Sequence, residues 1–124
     1  MKILLVEDNK DARYIINRLL QKNGFKDVVM VENGKEALEV VEKENFSLIL
    51  MDIRMPVMDG FEATKKIREM PGYKETPIIA VTAYSMKGDR EECLEAGATD
   101  YLSKPFDNDD FVELVKKYTS DLSK

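Results

Sequence analysis

The chain has 124 residues, 24 of them acidic and 19 basic, with a net charge of -5, one Cys and neither Trp nor His. Without imidazole there is no Ser-His-Asp or Cys-His catalytic unit, no His-ligated metal and no phosphohistidine formed on this chain. The lone Cys excludes an internal disulfide and a Cys-rich zinc site, and the acidic balance disfavours nucleic acid or an anionic membrane surface as a direct partner.

The first apolar run, Lys2 to Val6, is cut short by Glu7 and Asp8 and reads as a strand rather than a signal peptide. No run approaches transmembrane length, and the lone Cys together with the absent signal favours a reducing, cytoplasmic location. Ala12, Ile15, Ile16, Leu19 and Leu20 then recur at helical spacing and form an inner stripe that Asn23 and Gly24 end. A strand over Asp27 to Val31 follows. Asn33 with Glu36 three residues on resembles a capping box opening a helix whose inner face carries Ala37, Leu38 and Val41. Ser47 to Met51 is the third strand, and Asp59 with Glu62 opens a third helix that Pro71 and Gly72 stop. On that helix Lys65, Lys66 and Arg68 read as a solvated basic patch. Pro77 to Val81 is the fourth strand. The fourth helix, Met86 to Ala96, carries Gly88 near its start and a half-buried, structural Cys93, and Gly97 lies just beyond it. Thr99 to Leu102 is a weak fifth strand, and Asp107 and Asp110 open a helix with Phe111, Leu114, Val115 and Tyr118 on one face.

Five repeats of strand then helix, with strands lacking an in/out alternation, predict a doubly wound α/β domain: a five-stranded parallel sheet with five helices on its two faces. No repeat or shift in composition divides the chain, so a single domain over 1–124 is expected.

In such a sheet the carboxyl ends of the strands share one edge. The residues just past them are Glu7 and Asp8, Asp52, Thr82 and Lys104. Three acids brought together repel, and a hard divalent cation such as Mg²⁺, which takes oxygen ligands and keeps several waters, resolves the conflict. A carboxylate attacks phosphorus when cations neutralise the transferring oxygens. Asp52, at the end of the central apolar strand, is the best placed nucleophile; Lys104 supplies a cation and Thr82 a hydrogen-bond donor. Each residue alone has an ordinary reading as a cap, strand end or turn. The ordinary readings must together explain five suitable groups on one rim.

The segments Ile3-Leu4-Leu5-Val6-Glu7-Asp8-Asn9, Leu50-Met51-Asp52-Ile53-Arg54-Met55-Pro56-Val57-Met58-Asp59-Gly60, Val81-Thr82-Ala83 and Asp100-Tyr101-Leu102-Ser103-Lys104-Pro105-Phe106 resemble, in order and spacing, the receiver domain of a bacterial response regulator of the two-component systems. The likeness is to the single-domain, chemotaxis-regulator-like kind. It implies a flavodoxin-like strand order 2-1-3-4-5. It also implies that Asp52 accepts a phosphoryl group from a phosphohistidine of a partner histidine kinase or phosphotransfer protein. By the same likeness Asp8, Asp52 and the backbone carbonyl of Arg54 ligate Mg²⁺, and Glu7 acts through a water. Thr82 and Lys104 hold the phosphoryl oxygens, Ala83 leaves them room, and Tyr101 is the aromatic that turns when Thr82 moves. A cis bond between Lys104 and Pro105 is implied as well. The face of the fourth helix, fifth strand and fifth helix then signals to a downstream protein, with the chain a monomer or weak dimer and no output domain.

The resemblance implies a signalling protein that assists its own phosphorylation and dephosphorylation rather than an enzyme. Bulky Arg54 and Tyr84, two residues past Asp52 and Thr82, point to slow self-dephosphorylation. A receiver excised from a hybrid histidine kinase is the alternative. An aspartate-nucleophile phosphatase is a remote one, because it needs a second Asp where Arg54 stands and a nucleophile after the first strand.

Overall fold

The computed structural model describes residues 2–53, 58–82 and 89–119. The chain alternates as predicted: β1 (Ile3–Val6), α1 (Lys10–Lys22), β2 (Val28–Val31), α2 (Gly34–Lys43), β3 (Leu48–Met51), α3 (Gly60–Arg68), β4 (Ile78–Thr82), α4 (Asp89–Ala96), β5 (Asp100–Ser103) and α5 (Asn108–Thr119). All neighbouring strands pair parallel, in the order β2-β1-β3-β4-β5. Each strand starts one residue later than the sequence suggests. β4 and β5 each also run one residue further, because Val81 and Thr82 pair with Leu102 and Ser103.

The strands read as unbroken apolar runs because both faces of the sheet are covered. Leu4, Val6, Ile49, Met51, Ile78 and Ala80 pack with Ala37, Val41, Ala63, Ile67 and Cys93 under α2, α3 and α4. Ile3, Leu5, Leu48, Leu50, Ile79 and Val81 pack with Ile16, Leu20, Phe111 and Val115 under α1 and α5. Burying each large aliphatic chain contributes about 1.5–3 kcal/mol, so the central strands fix where their carboxyl ends lie. β5 is an edge strand and only half-buried throughout, consistent with its weak apolar signal.

The caps follow the sequence with one change. Asn33 and Asp59 accept from the N–H groups of Glu36 and Glu62 as expected, and Asn9, not anticipated as a cap, accepts from the Ala12 N–H at the start of α1. The Glu36 carboxylate, however, reaches back to the Glu32 N–H at 2.7 Å. At α5 Asp107 accepts from the Asp109 N–H. α1 ends on Asn23, whose side chain donates to the Leu19 carbonyl, and Gly24 follows at a φ of 92°, a conformation that favours glycine.

Three expectations for side chains change. Ile15, placed on the inner stripe of α1, is 55% exposed. Cys93, expected half-buried, is fully buried. Arg68 is not part of a solvated patch: Lys65 and Lys66 are exposed, but Arg68 donates to the carbonyls of Gly97, Tyr73 and Thr76 and to the Thr99 hydroxyl. Thr99 in turn accepts from the Ile78 N–H. Arg68 therefore ties the end of α3 to the ends of α4 and the loop before β4. The expected helix start at Met86, Gly88 and the loop residue Met55 lie outside the described residues.

Candidate functional site

The carboxyl edge of the sheet brings the predicted acids together. β1 and β3 are neighbours, so Glu7 and Asp52, each one residue past its strand, emerge side by side. Their backbones extend the ladder, with Glu7 N–H donating to the Val31 carbonyl at 3.1 Å and Asp52 N–H to the Val6 carbonyl at 2.9 Å. One oxygen each from Glu7, Asp8 and Asp52 lies within 4.8 Å of the others. Glu7 and Asp52 are buried and Asp8 is exposed, which opens the cluster to solvent on the Asp8 side.

Lys104 and Thr82 reach the same edge from β5 and β4. The Lys104 N–H donates to the Thr82 carbonyl at 2.8 Å, and the peptide bond from Lys104 to Pro105 is cis. The Lys104 ammonium donates to Glu7 Oε1 at 2.5 Å. Glu7 Oε2 accepts from the Asn9 N–H at 3.1 Å. Burial pushes the Glu7 carboxyl pKa up, but hydrogen bonds with Lys104, Asp52 and the Asn9 N–H, and the Lys104 charge, outweigh it and hold it below the ordinary carboxylate value. Thr82 is fully buried. Tyr101, half-buried on β5, packs against the cluster under α2, α3 and α4.

Five of the expected site residues, Glu7, Asp8, Asp52, Thr82 and Lys104, thus stand at adjacent strand ends. Arg54, Ala83 and Tyr84 lie outside the described residues. The donor set of the acids is all oxygen and already partly neutralised by one lysine. It fits a hard divalent cation, which binds carboxylate oxygens and water, better than a softer metal.

Two further features surround the rim. Gly60, the first residue of α3, sits directly behind Asp52: its N–H donates to the Ile53 carbonyl at 3.0 Å, and a Cβ there would lie 2.4 Å from the Asp52 carbonyl oxygen. On the other side Tyr14 and Ile15 of α1 are the most exposed large apolar residues described. Ile15 borders an apolar cleft of about 420 Å³ lined also by Ala12, Ile16, Lys104, Pro105 and Phe106. Composition pointed to none of this, since helical spacing placed Ile15 inside.

Comparison with known proteins agrees with this geometry. Residues 3–116 match the family model described as the response regulator receiver domain. The polar-differentiation response regulator DivK of Brucella anthropi is 36% identical over 119 residues, covering 96% of both chains. Hybrid signal transduction histidine kinase I of Dictyostelium discoideum is 47% identical over 111 residues, covering 84% of this chain and 6% of that protein. Among solved structures, the receiver domain of the sensor histidine kinase PA1611 of Pseudomonas aeruginosa, described with a magnesium ion in its active site cleft, is 40% identical. It superimposes with a TM-score of 0.88, covering 96% of this chain and 97% of that one. With the motifs, the strand order and the acidic rim all in accord, the chain belongs to the response regulator receiver domain family of two-component signalling.

Proposed function

We propose that Asp52 is the phosphoacceptor of a Mg²⁺-dependent transfer from a phosphohistidine on a partner histidine kinase or histidine phosphotransfer protein. The observation that carries this reading is the convergence of the Glu7, Asp8 and Asp52 oxygens within 4.8 Å with the Lys104 ammonium held against them by Glu7. An Asp52 carboxylate oxygen forms the new bond to phosphorus as the bond between phosphorus and the donor's imidazole nitrogen breaks, and the electron pair leaves with the imidazole. Asp8, Asp52 and the Arg54 carbonyl, with Glu7 through a water, are the residues that would hold Mg²⁺. When bound it supplies positive charge to the transferring oxygens. Lys104 exchanges part of its pairing with Glu7 for a phosphoryl oxygen, and the Thr82 hydroxyl donates to another, beside Ala83 and Pro105.

The phosphoryl group adds charge and acceptor oxygens at one rim, which favours the conformer that draws Thr82 and Lys104 toward them. Tyr101, paired with Ala80 two residues before Thr82 on β4, carries the change to the face of α4, β5 and α5 and so to a downstream protein. The donor must cover the rim to deliver its phosphoryl group, and exposed Tyr14 and Ile15 with the cleft at Pro105 and Phe106 form its apolar contact. This reading makes the chain a cytoplasmic signalling protein rather than an enzyme, monomeric or weakly dimeric, acting as one receiver domain through protein contacts. Among the described residues no helix is long and apolar enough to cross a membrane. The same site would serve a stand-alone regulator or a receiver within a hybrid kinase. The phosphatase alternative finds no support in the family match.

The test is transfer of label from a kinase or phosphotransfer protein carrying radioactive phosphohistidine. Label should move to the wild type in the presence of Mg²⁺ and not with EDTA. Transfer that persists undiminished in EDTA would overturn the reading.

A further inference from the structure

Arg13 lies on α1, outside the set of acids and cations that the rim suggests, yet it is the side chain that holds the acidic loop from behind. Its Nη1 donates to the Glu7 carbonyl at 2.8 Å and to the Asp8 carbonyl at 3.1 Å. Its Nη2 pairs with Glu32, just past β2, at 3.4 Å. The side chain is 16% exposed while Glu32 is largely exposed, so Arg13 is packed into the protein and aimed at the backbone of the two acids. Both bonds come from the one nitrogen, and Nη2, rigidly coplanar with it, is engaged by Glu32, so the guanidinium plane fixes where Nη1 points between the two carbonyls. Other bonds hold the loop between β1 and α1 elsewhere: the Glu7 N–H donates to the Val31 carbonyl and Lys104 pairs with the Glu7 carboxylate. The Asn9 N–H donates to Glu7 Oε2, and Asn9 Oδ1 caps α1, but neither holds the Glu7 and Asp8 carbonyls.

We propose that Arg13 is a positioning residue for the cation site, its guanidinium clamping the Glu7 and Asp8 carbonyls so that the two carboxylates face Asp52 at the spacing a divalent cation needs. This rests on the reading of the rim as a Mg²⁺ site. The proposal has a distinctive sign. As a charge alone, Arg13 repels a nearby cation, so removing it would tighten Mg²⁺ binding. As a clamp it organises the ligands, so removing it weakens binding, by about 10-fold or more if it acts as outer partners of metal ligands usually do.

The experiment is a Mg²⁺ titration without any phosphodonor, followed by isothermal calorimetry and by the amide shifts of Asp8 and Asn9. It compares the wild type with Arg13→Met, Arg13→Lys and Glu32→Gln, with thermal unfolding recorded for each. Arg13→Met keeps the apolar stem and removes the donors; Arg13→Lys keeps the charge but its Nζ ends one bond short of the Nη1 position, so it cannot make both carbonyl bonds in the present backbone. Both are expected to bind Mg²⁺ about 10-fold more weakly or worse, while Glu32→Gln, which leaves the clamp in place, stays close to wild type. Affinity unchanged or tightened in Arg13→Met overturns the proposal. If that variant does not fold, unchanged affinity in Arg13→Lys overturns it equally. A wild type that shows no Mg²⁺ binding would instead sink the reading of the rim on which the proposal rests.

Discussion

Gly60 offers a direct test of how the fold holds Asp52 in place. A methyl group at this position would approach the Asp52 carbonyl oxygen to 2.4 Å and both the Cα and Cδ1 of Ile53 to 2.8 Å. The backbone oxygen would have to retreat by about 1 Å to reach ordinary contact, which begins at 3.4 Å. Two of the three atoms are backbone, and Asp52 and Ile53 are tied by the Asp52 N–H to Val6 and the Gly60 N–H to Ile53, so a shift of the Ile53 side chain alone cannot relieve the clash. Overpacking of this kind costs about 1–3 kcal/mol. At roughly 3–6 °C per kcal/mol for a chain of this size, Gly60→Ala should lower the unfolding midpoint by about 3–18 °C. Because the displaced atom belongs to Asp52, the variant should also label more slowly with a small acyl phosphate. Gly24→Ala is the control: its Cβ meets nothing within 4 Å, but its φ of 92° strains any L side chain, at about 1 kcal/mol. It should lower stability with labelling unchanged. Differential scanning calorimetry with a labelling time course reads both. A Gly60→Ala protein that matches wild type in midpoint and labelling rate would refute the argument that this contact holds Asp52.

Three further outcomes follow from named contacts. Arg68→Lys loses the fork that serves three carbonyls and the Thr99 hydroxyl, and urea unfolding should show a loss of about 2–4 kcal/mol; a change below about 0.5 kcal/mol would contradict the clasp. Burial, with the hydrogen bond to Asp100 at 2.7 Å and the charge of that carboxylate, pushes the Tyr118 hydroxyl pKa up to about 12. A raised folded value gives stability that is complete below the ordinary tyrosine pKa of 10.0 and is lost as pH rises from there to about 12. Ultraviolet titration against Tyr118→Phe should show that tyrosine ionising near 12, and Asp100→Asn should bring it down; no change in Asp100→Asn would remove Asp100 as a cause. Ile15→Asp, placed in the exposed apolar contact, should weaken transfer from a protein donor by about fivefold or more while labelling by a small acyl phosphate stays at the wild-type rate. Equal loss with both donors would place the damage in the site rather than the contact.

What the sequence showed and what it hid separate along a physical line. The five strands, the caps at Asn33 and Asp59, and the convergence of Glu7, Asp8, Asp52, Thr82 and Lys104 were legible because each depends on residue type at a fixed spacing. Apolar runs mark strands covered on both faces, and parallel topology then carries whatever follows each run to one edge. Arg13 and Arg68 were not legible, because most of their partners are backbone carbonyls, which every residue possesses and no sequence pattern distinguishes. Ile15 fits the helical period of the inner stripe, yet the Pro105–Phe106 turn leaves it at the margin of a cleft. Spacing gives the face of a helix but not where the neighbouring loop stops.

The central claim is that Asp52 takes up a phosphoryl group with the help of the acidic rim. Intact mass spectrometry after incubation with Mg²⁺ and a small acyl phosphate, with borohydride trapping, tests it most directly. The expected result is one phosphoryl-sized adduct on the wild type, trapped at Asp52 and absent in EDTA and in Asp52→Asn. No adduct on the wild type, or one that survives in Asp52→Asn, would contradict the account.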